Sequence, residues 1–287
     1  MKKYIFAILL LPLALLGSCT AEEGADPGTD KAPAVTVYTY EPTDESANPD
    51  NDIQVRFATN AATTGIYYLV EKTDDVNKFI EANGENAYIQ KVIENGTNIP
   101  VNGAENIDRL LTGIVGVSTI TAVATNGSTS GMGTASFTGL DWADIVSGQF
   151  VYNAGSFLAA KGADCVLQRC TVKDGLYRLK DAFGEGYSMK FTATAQKGST
   201  AEGTFTHLRV GYTPTPWTIR FTSDPAPTTL YVEDVSTWQG KTSFMTNYPC
   251  GMYDNYKCFF TLAWMGGNKC TQFEPQSIFT PDQAPTN

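Results

Sequence analysis

The sequence predicts an all-β chain built from two β-sandwich domains. Three observations predict it. Alternating apolar and polar residues recur in short runs along most of the chain, the period-2 signature of strands with one buried face. Turn-forming pairs such as Asn126-Gly127 and Asp174-Gly175 punctuate those runs. Charged residues make up only 17% of the chain, whereas 26 Gly, 14 Tyr and 15 Phe favour strands and turns over helices.

At the N-terminus, Lys2 and Lys3 precede an apolar run from Tyr4 to Leu16, broken only by Pro12, which ends in Gly17-Ser18-Cys19. A basic start, a short apolar core and small residues describe a secretory signal, residues 1–18. The run is shorter than the roughly 20 residues that a membrane-spanning helix needs. Leu16-Gly17-Ser18-Cys19 resembles the lipobox of bacterial lipoproteins. That resemblance implies cleavage before Cys19, lipidation of its sulfur, and attachment to the membrane through lipid. The next residues, Thr20-Ala21-Glu22-Glu23-Gly24-Ala25-Asp26, resemble the acidic export signal of Bacteroidetes surface lipoproteins. This implies an outer-membrane lipoprotein exposed on the cell surface, with a periplasm-facing position as the alternative. By composition, residues 19–32 also read as a solvated tether, too polar to order themselves.

The formal charge of −10 becomes −12 once Lys2 and Lys3 leave with the signal. So acidic a surface argues against nucleic acid and anionic membrane surfaces as partners. Neutral ligands such as glycans remain compatible.

The first domain spans about 33–139. Val35 to Tyr38, Ile53 to Phe57 and Gly65 to Val70 alternate as strands, with an acidic loop from Glu41 to Asp52. Asp74 to Glu81 and Glu85 to Glu94 read as short helices. Asp74 is the expected N-cap, Val76, Phe79 and Ile80 form a helical stripe, and Asn83-Gly84 and Asn95-Gly96 are expected left-handed stops. Strand pattern returns at Asn98 to Val101, Ser118 to Ala124 and Thr134 to Phe137. Roughly seven short strands in about 105 residues suggest an immunoglobulin-like sandwich carrying a short helical insertion. The run Leu110-Leu111-Thr112-Gly113 before the strand at 118–124, followed by Ala124-Thr125-Asn126-Gly127, resembles the fibronectin type III domain. The Pro and Tyr of that family's turn are missing here. The helical piece resembles a variant found in Bacteroidetes lipoproteins, where such a domain spaces or presents a partner module.

The second domain runs from about 140 to 287, with Leu140-Asp141-Trp142 at the boundary. Strands are expected from Gly148, over 165–172 and 176–181, and from Ser188 to Ala195 with Met189, Phe191, Ala193 and Ala195 inward. Ile219 with Phe221, Leu230 with Val232, and Phe260 with Leu262 continue the pattern. About nine antiparallel strands read as a sandwich or jelly roll, with a closed β-barrel as the alternative and no helix. Tyr177-Arg178-Leu179-Lys180-Asp181-Ala182-Phe183 resembles a signature of C-terminal domains in uncharacterised Bacteroidetes lipoproteins. It implies no activity.

Five further cysteines follow Cys19, and an exported chain meets oxidising conditions. Cys250 and Cys258 flank a turn-rich segment centred near Asp254, so they are the candidate disulfide. Cys165 and Cys170 have opposite parity on one strand and should not pair. Without a Cys-x-x-Cys motif, and with one histidine, no metal site or cofactor is expected.

Catalytic groups are sparse. His207 lies on an alternating strand and reads as a surface histidine. Glu185, Glu202, Asp224, Glu233 and Asp254 could supply a glycosidase carboxylate pair only if two of them met across a cleft. Glu41, Asp44, Glu45, Asp50 and Asp52 lack the EF-hand spacing and read as a solvated loop. Aromatics are the better lead. Trp217, Trp238, Tyr253 and Tyr256 lie in Pro- or Gly-rich stretches, where an aromatic face can stack on a sugar ring. Trp264 is assigned to the core. The expected function is therefore extracellular ligand binding, with a glycan as the ligand and no catalysis. The glycan comes from the lipoprotein resemblance, since many such proteins accompany polysaccharide uptake, and outer-membrane proteins are candidate partners. A structural or adhesive surface component is the second reading, and a carboxylate-dependent glycoside hydrolase is the third.

Overall fold

A computed structural model describes residues 32–155, 157–220, 226–267, 269–270 and 275–282. Cys19, Asp224 and Phe221 lie outside them. The first unit contains β1 (Val35–Tyr40), β2 (Ile53–Thr59), β3 (Gly65–Lys72), α1 (Thr73–Asn83), α2 (Glu85–Asn95), β4 (Thr97–Pro100), β5 (Asn106–Leu111), β6 (Gly116–Thr125) and β7 (Ser130–Gly139). A three-stranded sheet, β1-β2-β5, packs on a four-stranded sheet, β4-β3-β6-β7, and every pairing is antiparallel. Val35, Val37, Val55 and Phe57 meet Ile66, Ile120, Ala122 and Ala124 between the sheets.

The two helices form a third layer. Val76, Tyr88, Ile89 and Val92 cover Val123 on the outer face of the larger sheet. This explains why β6 is buried along nearly its whole length: it is covered on both sides. The Tyr88 hydroxyl donates to Glu71 Oε2 at 2.9 Å and lies 3.1 Å from Thr121 Oγ1, so the polar groups under the helices are paired. Details at the helix ends differ from expectation. Lys72, not Asp74, occupies the α1 N-cap, because the chain turns directly out of β3, and Asp74 falls in the first turn. Gly84 has φ 84° but ψ 160°, and Gly96 is extended, so neither is a left-handed stop. Gly96 is required for another reason: a Cβ there would meet Val92 O at 2.5 Å and Tyr68 O at 2.8 Å. Strand β5 had no sequence signal, because as an edge strand it leaves Leu110 exposed and does not alternate cleanly.

The second unit contains β8 (Trp142–Tyr152), β9 (Lys161–Cys170), β10 (Leu176–Lys180), β11 (Met189–Thr200), β12 (Gly203–Arg209), β13 (Thr213–Ile219), β14 (Thr228–Asp234), α3 (Val235–Gln239), α4 (Phe244–Asn247), β15 (Gly251–Tyr253), β16 (Cys258–Phe260), β17 (Leu262–Gly266), β18 (Lys269–Cys270) and β19 (Ser277–Pro281). Eight of these strands close into a barrel in the order β10-β11-β12-β15-β16-β19-β8-β9. The all-β class stands, and the closed form, the alternative to a sandwich or jelly roll, is the one adopted. The deciding contact is β19 on β8, with Phe279 opposite Phe150 and Pro281 opposite Gly148. Gly148 lets the seam close, since a Cβ there would meet Thr280 O at 2.3 Å and the Phe279 ring at 2.8 Å.

The barrel interior is filled by Phe150, Leu167, Leu179, Met189, Phe191, Phe260 and Phe279. The remaining strands form a sheet ordered β13-β14-β17-β18. Val232, Leu262 and Trp264 point from it into the barrel cluster, while Ala263 and Met265 pack beneath α3 and α4. Hence β17 is buried at every position. The two short helices were not expected. The first, α3, is capped by Asp234, whose side chain accepts from Thr237 N, and Gly240 closes it in the left-handed conformation. Ala195 was expected inward but is exposed, because the β11–β12 register slips between Ala193 and Lys197.

Candidate functional site

The four aromatics proposed from sequence do not form one platform. Trp217 is half-buried against the barrel cluster. Its ring centroid lies 5.4 Å from Tyr152, 6.0 Å from Phe183 and 6.3 Å from Trp264, with Lys161 Nζ 4.8 Å above it. Trp238 sits on α3 and is 36% exposed. Tyr253 packs on Phe205 and Phe259 outside the barrel, with its hydroxyl 2.7 Å from Thr200 Oγ1. Tyr256, at φ 64°, turns the β15–β16 hairpin and packs on the barrel cluster. Trp264 is fully buried, as assigned, though its Nε1 has no hydrogen-bond partner.

Cys250 and Cys258 are free thiols, so the candidate disulfide is not formed. The reason is register. Met252, not Cys250, faces Cys258, because the hairpin centres on Asn255, one residue beyond the expected centre. Cys165 and Cys170 are likewise free. Burial pushes the Cys165 thiol up to about 12 and raises those of Cys250 and Cys258 as well. A raised pKa disfavours the thiolate that a nucleophile at Cys165, Cys250 or Cys258 would need.

His207 is buried, which corrects the surface reading. Only 8% of it is exposed; its ring lies 4.9 Å from Phe205 and its Nδ1 has no partner. Burial lowers its pKa from the ordinary value. It sits on the outer barrel face beneath an aromatic patch.

Glu185 and Asp254 are exposed, and Glu202 is paired with Lys257 Nζ at 2.5 Å. Burial, and secondarily the charge of Asp234, raises Glu233. Among the described residues no group of three or more His, Cys, Asp or Glu is placed to hold a metal. The acidic loop is used by the fold itself. Asp44 accepts from Ser46, and Asp52 accepts from Asn48 N at 2.7 Å and Gly113 N at 2.9 Å.

Asp50, in that loop, faces the second unit and builds a site that sequence reasoning missed. Two adjoining cavities, of about 250 and 370 Å³, lie between the units and share Asp50, Lys190, Tyr212 and Thr213. Lys173 and Arg209 line the first; Asn48, Arg178 and Ser188 line the second. Lys190 Nζ bridges the cleft to Asp50 Oδ2 at 2.5 Å. The Arg178 guanidinium lies 4.4 Å over the Trp142 ring, and its Nε donates to Gln168 Oε1 at 2.6 Å. Burial lowers its pKa, and nearby Asp181, Asp50 and Asp144 oppose that shift.

Tyr212 is 63% exposed at the cleft, and its ring is braced 4.7 Å from Tyr231. A solvent-facing ring beside a polar cleft is the arrangement expected of a sugar-stacking residue. Its signal in the sequence was weak: Gly211-Tyr212-Thr213-Pro214 resembles any turn. No family model matches the chain, and no curated protein or solved structure matches it at a significant level.

Proposed function

We propose that the protein is a lipid-anchored, surface-exposed outer-membrane lipoprotein that binds an extracellular glycan without transforming it. The observation that carries the binding reading is the exposed Tyr212 ring over the polar cleft between the two units. Hydroxyl-rich ligands suit it, because Asn48, Asp50, Ser188 and Thr213 offer donors and acceptors along the cavity that Tyr212 lines. The lipobox-like Leu16-Gly17-Ser18-Cys19 and the acidic residues after it support the anchor and the address. The first unit is proposed as a fibronectin type III-like spacer, supported by its three-on-four strand arrangement. It differs from a bare spacer in contributing Asn48 and Asp50 to the cleft.

A structural or adhesive role is the second reading. The scatter of Trp217, Trp238 and Tyr253 over separate places favours it, together with exposed Val115 and Val117 on the first unit. Affinity electrophoresis of the intact protein through gels holding different polysaccharides separates the two. Retardation lost in Tyr212→Ala supports glycan binding; no retardation in any gel favours the adhesive role.

A further inference from the structure

Four cations line the cleft of a chain whose formal charge is −10: Lys173, Arg178, Lys190 and Arg209. Two of them are already neutralised. Arg209 Nε lies 3.2 Å from Asp234 Oδ2, and Lys190 is bound to Asp50. The other two make no ion pair among the described residues, although Asp181, Asp50 and Asp144 lie near Arg178. Lys173 is exposed on the β9–β10 turn and makes no ion pair among the described residues. Among the described residues Arg178 makes one hydrogen bond, through Nε, and it goes to a neutral amide.

That amide is itself fixed, because Gln168 Nε2 donates to Asp144 Oδ1 at 2.5 Å. The Trp142 ring, 4.4 Å from Cζ, holds the other side of the Arg178 guanidinium in place. A guanidinium so held keeps its two Nη groups as a pre-oriented fork, the geometry that matches a carboxylate or sulfate with two parallel hydrogen bonds. Surface arginines normally lose side-chain entropy on forming such a fork; this one has lost it already.

We propose that the ligand of this cleft is an acidic glycan, a chain of hexuronate residues whose carboxylates are taken by Arg178 in one cavity and Lys173 in the other while a ring face stacks on Tyr212. This rests on the glycan-binding reading above and narrows its ligand. Asp50 is neutralised by Lys190 and so does not repel the incoming anion. Ion pairs at this half-open surface are screened, so affinity falls as salt is raised.

Calorimetric titration of the intact protein tests it with tetragalacturonate, a neutral maltotetraose and cellotetraose pair, and inorganic sulfate as a competitor. Tetragalacturonate is expected to bind about tenfold or more tighter than the neutral sugars, a difference of about 1.4 kcal/mol. Arg178→Gln is expected to remove that preference, as is Lys173→Ala in part. Lys173 lies exposed on a turn, so its variant keeps the fold whatever Arg178→Gln does to Trp142 packing. Tyr212→Ala is expected to weaken every sugar that binds. Equal binding of acidic and neutral sugars overturns the acidic-ligand proposal and leaves glycan binding standing. So does a preference that survives both cation variants. Binding of sulfate with no sugar overturns both, as does binding of nothing.

Discussion

Lys190 Nζ lies 2.5 Å from Asp50 Oδ2, an ion pair between residues 140 positions apart that ties the two units across a cleft. Beside it Asn51 donates to Ile114 O and Leu140 O, both at 2.8 Å, and Leu140 N donates to Asp50 O at 2.9 Å. One loop residue thus sets the wall of the cleft, and its neighbour holds the strand that leads out of the first unit.

The two kinds of contact differ in strength. The Lys190 side chain is 46% exposed and that of Asp50 29%, so their pair contributes little, at most about 1 kcal/mol. Asn51 satisfies two partly buried carbonyls, and Asn51→Ala should cost about 1–3 kcal/mol. Urea unfolding of both variants checks this. A Lys190→Ala loss larger than that of Asn51→Ala would contradict the ranking.

Asp234 is the more consequential carboxylate. It is 2% exposed and accepts from Thr237 N at 2.7 Å, Val210 N at 2.7 Å and Thr237 Oγ1 at 2.6 Å. It caps α3 and satisfies a buried amide of the chain leaving β12. Asp234→Ala should therefore destabilise by about 2–4 kcal/mol, with loss of the cap and of the buried bond both contributing. Chemical denaturation measures the loss. A change below about 0.5 kcal/mol would show that the cap is dispensable.

His207 predicts a pH dependence. Burial lowers its pKa in the folded chain from the ordinary value of 6.5. Below that value the unfolded chain takes up a proton that the folded chain resists. Stability from this group is therefore full above about pH 6.5 and falls as pH drops towards the lowered folded value. The slope from one group does not exceed about 1.4 kcal/mol per pH unit. Unfolding free energies of the native chain and of His207→Gln, taken between about pH 7 and pH 5, should diverge with this slope. Parallel curves would mean that His207 titrates alike in both states.

The sequence alone determined most of the strands, the helical pair and the class of fold. Val35 to Tyr38, Ile53 to Phe57 and Met189 to Phe191 are legible because burial on one face of a strand imposes a period of two over a few residues. Val76, Phe79 and Ile80 are legible because a helix imposes its own period over a similar length. Edge strand β5 and the short helix α3 lack a strong enough periodic pattern, so both stayed hidden.

Tertiary structure decided the rest. Closure of the barrel depends on β8 meeting β19 at the far end of the unit, and nothing local to either strand records that meeting. The Cys250–Cys258 pairing failed on a register of two residues, which the hairpin's own turn sets. Nothing local marks Tyr212; the acidic loop, from the other unit, supplies Asn48 and Asp50 beside it. Side-chain periodicity is a short-range consequence of burial. A cleft is a long-range consequence of which surfaces come together, and that depends on the packing of the whole chain.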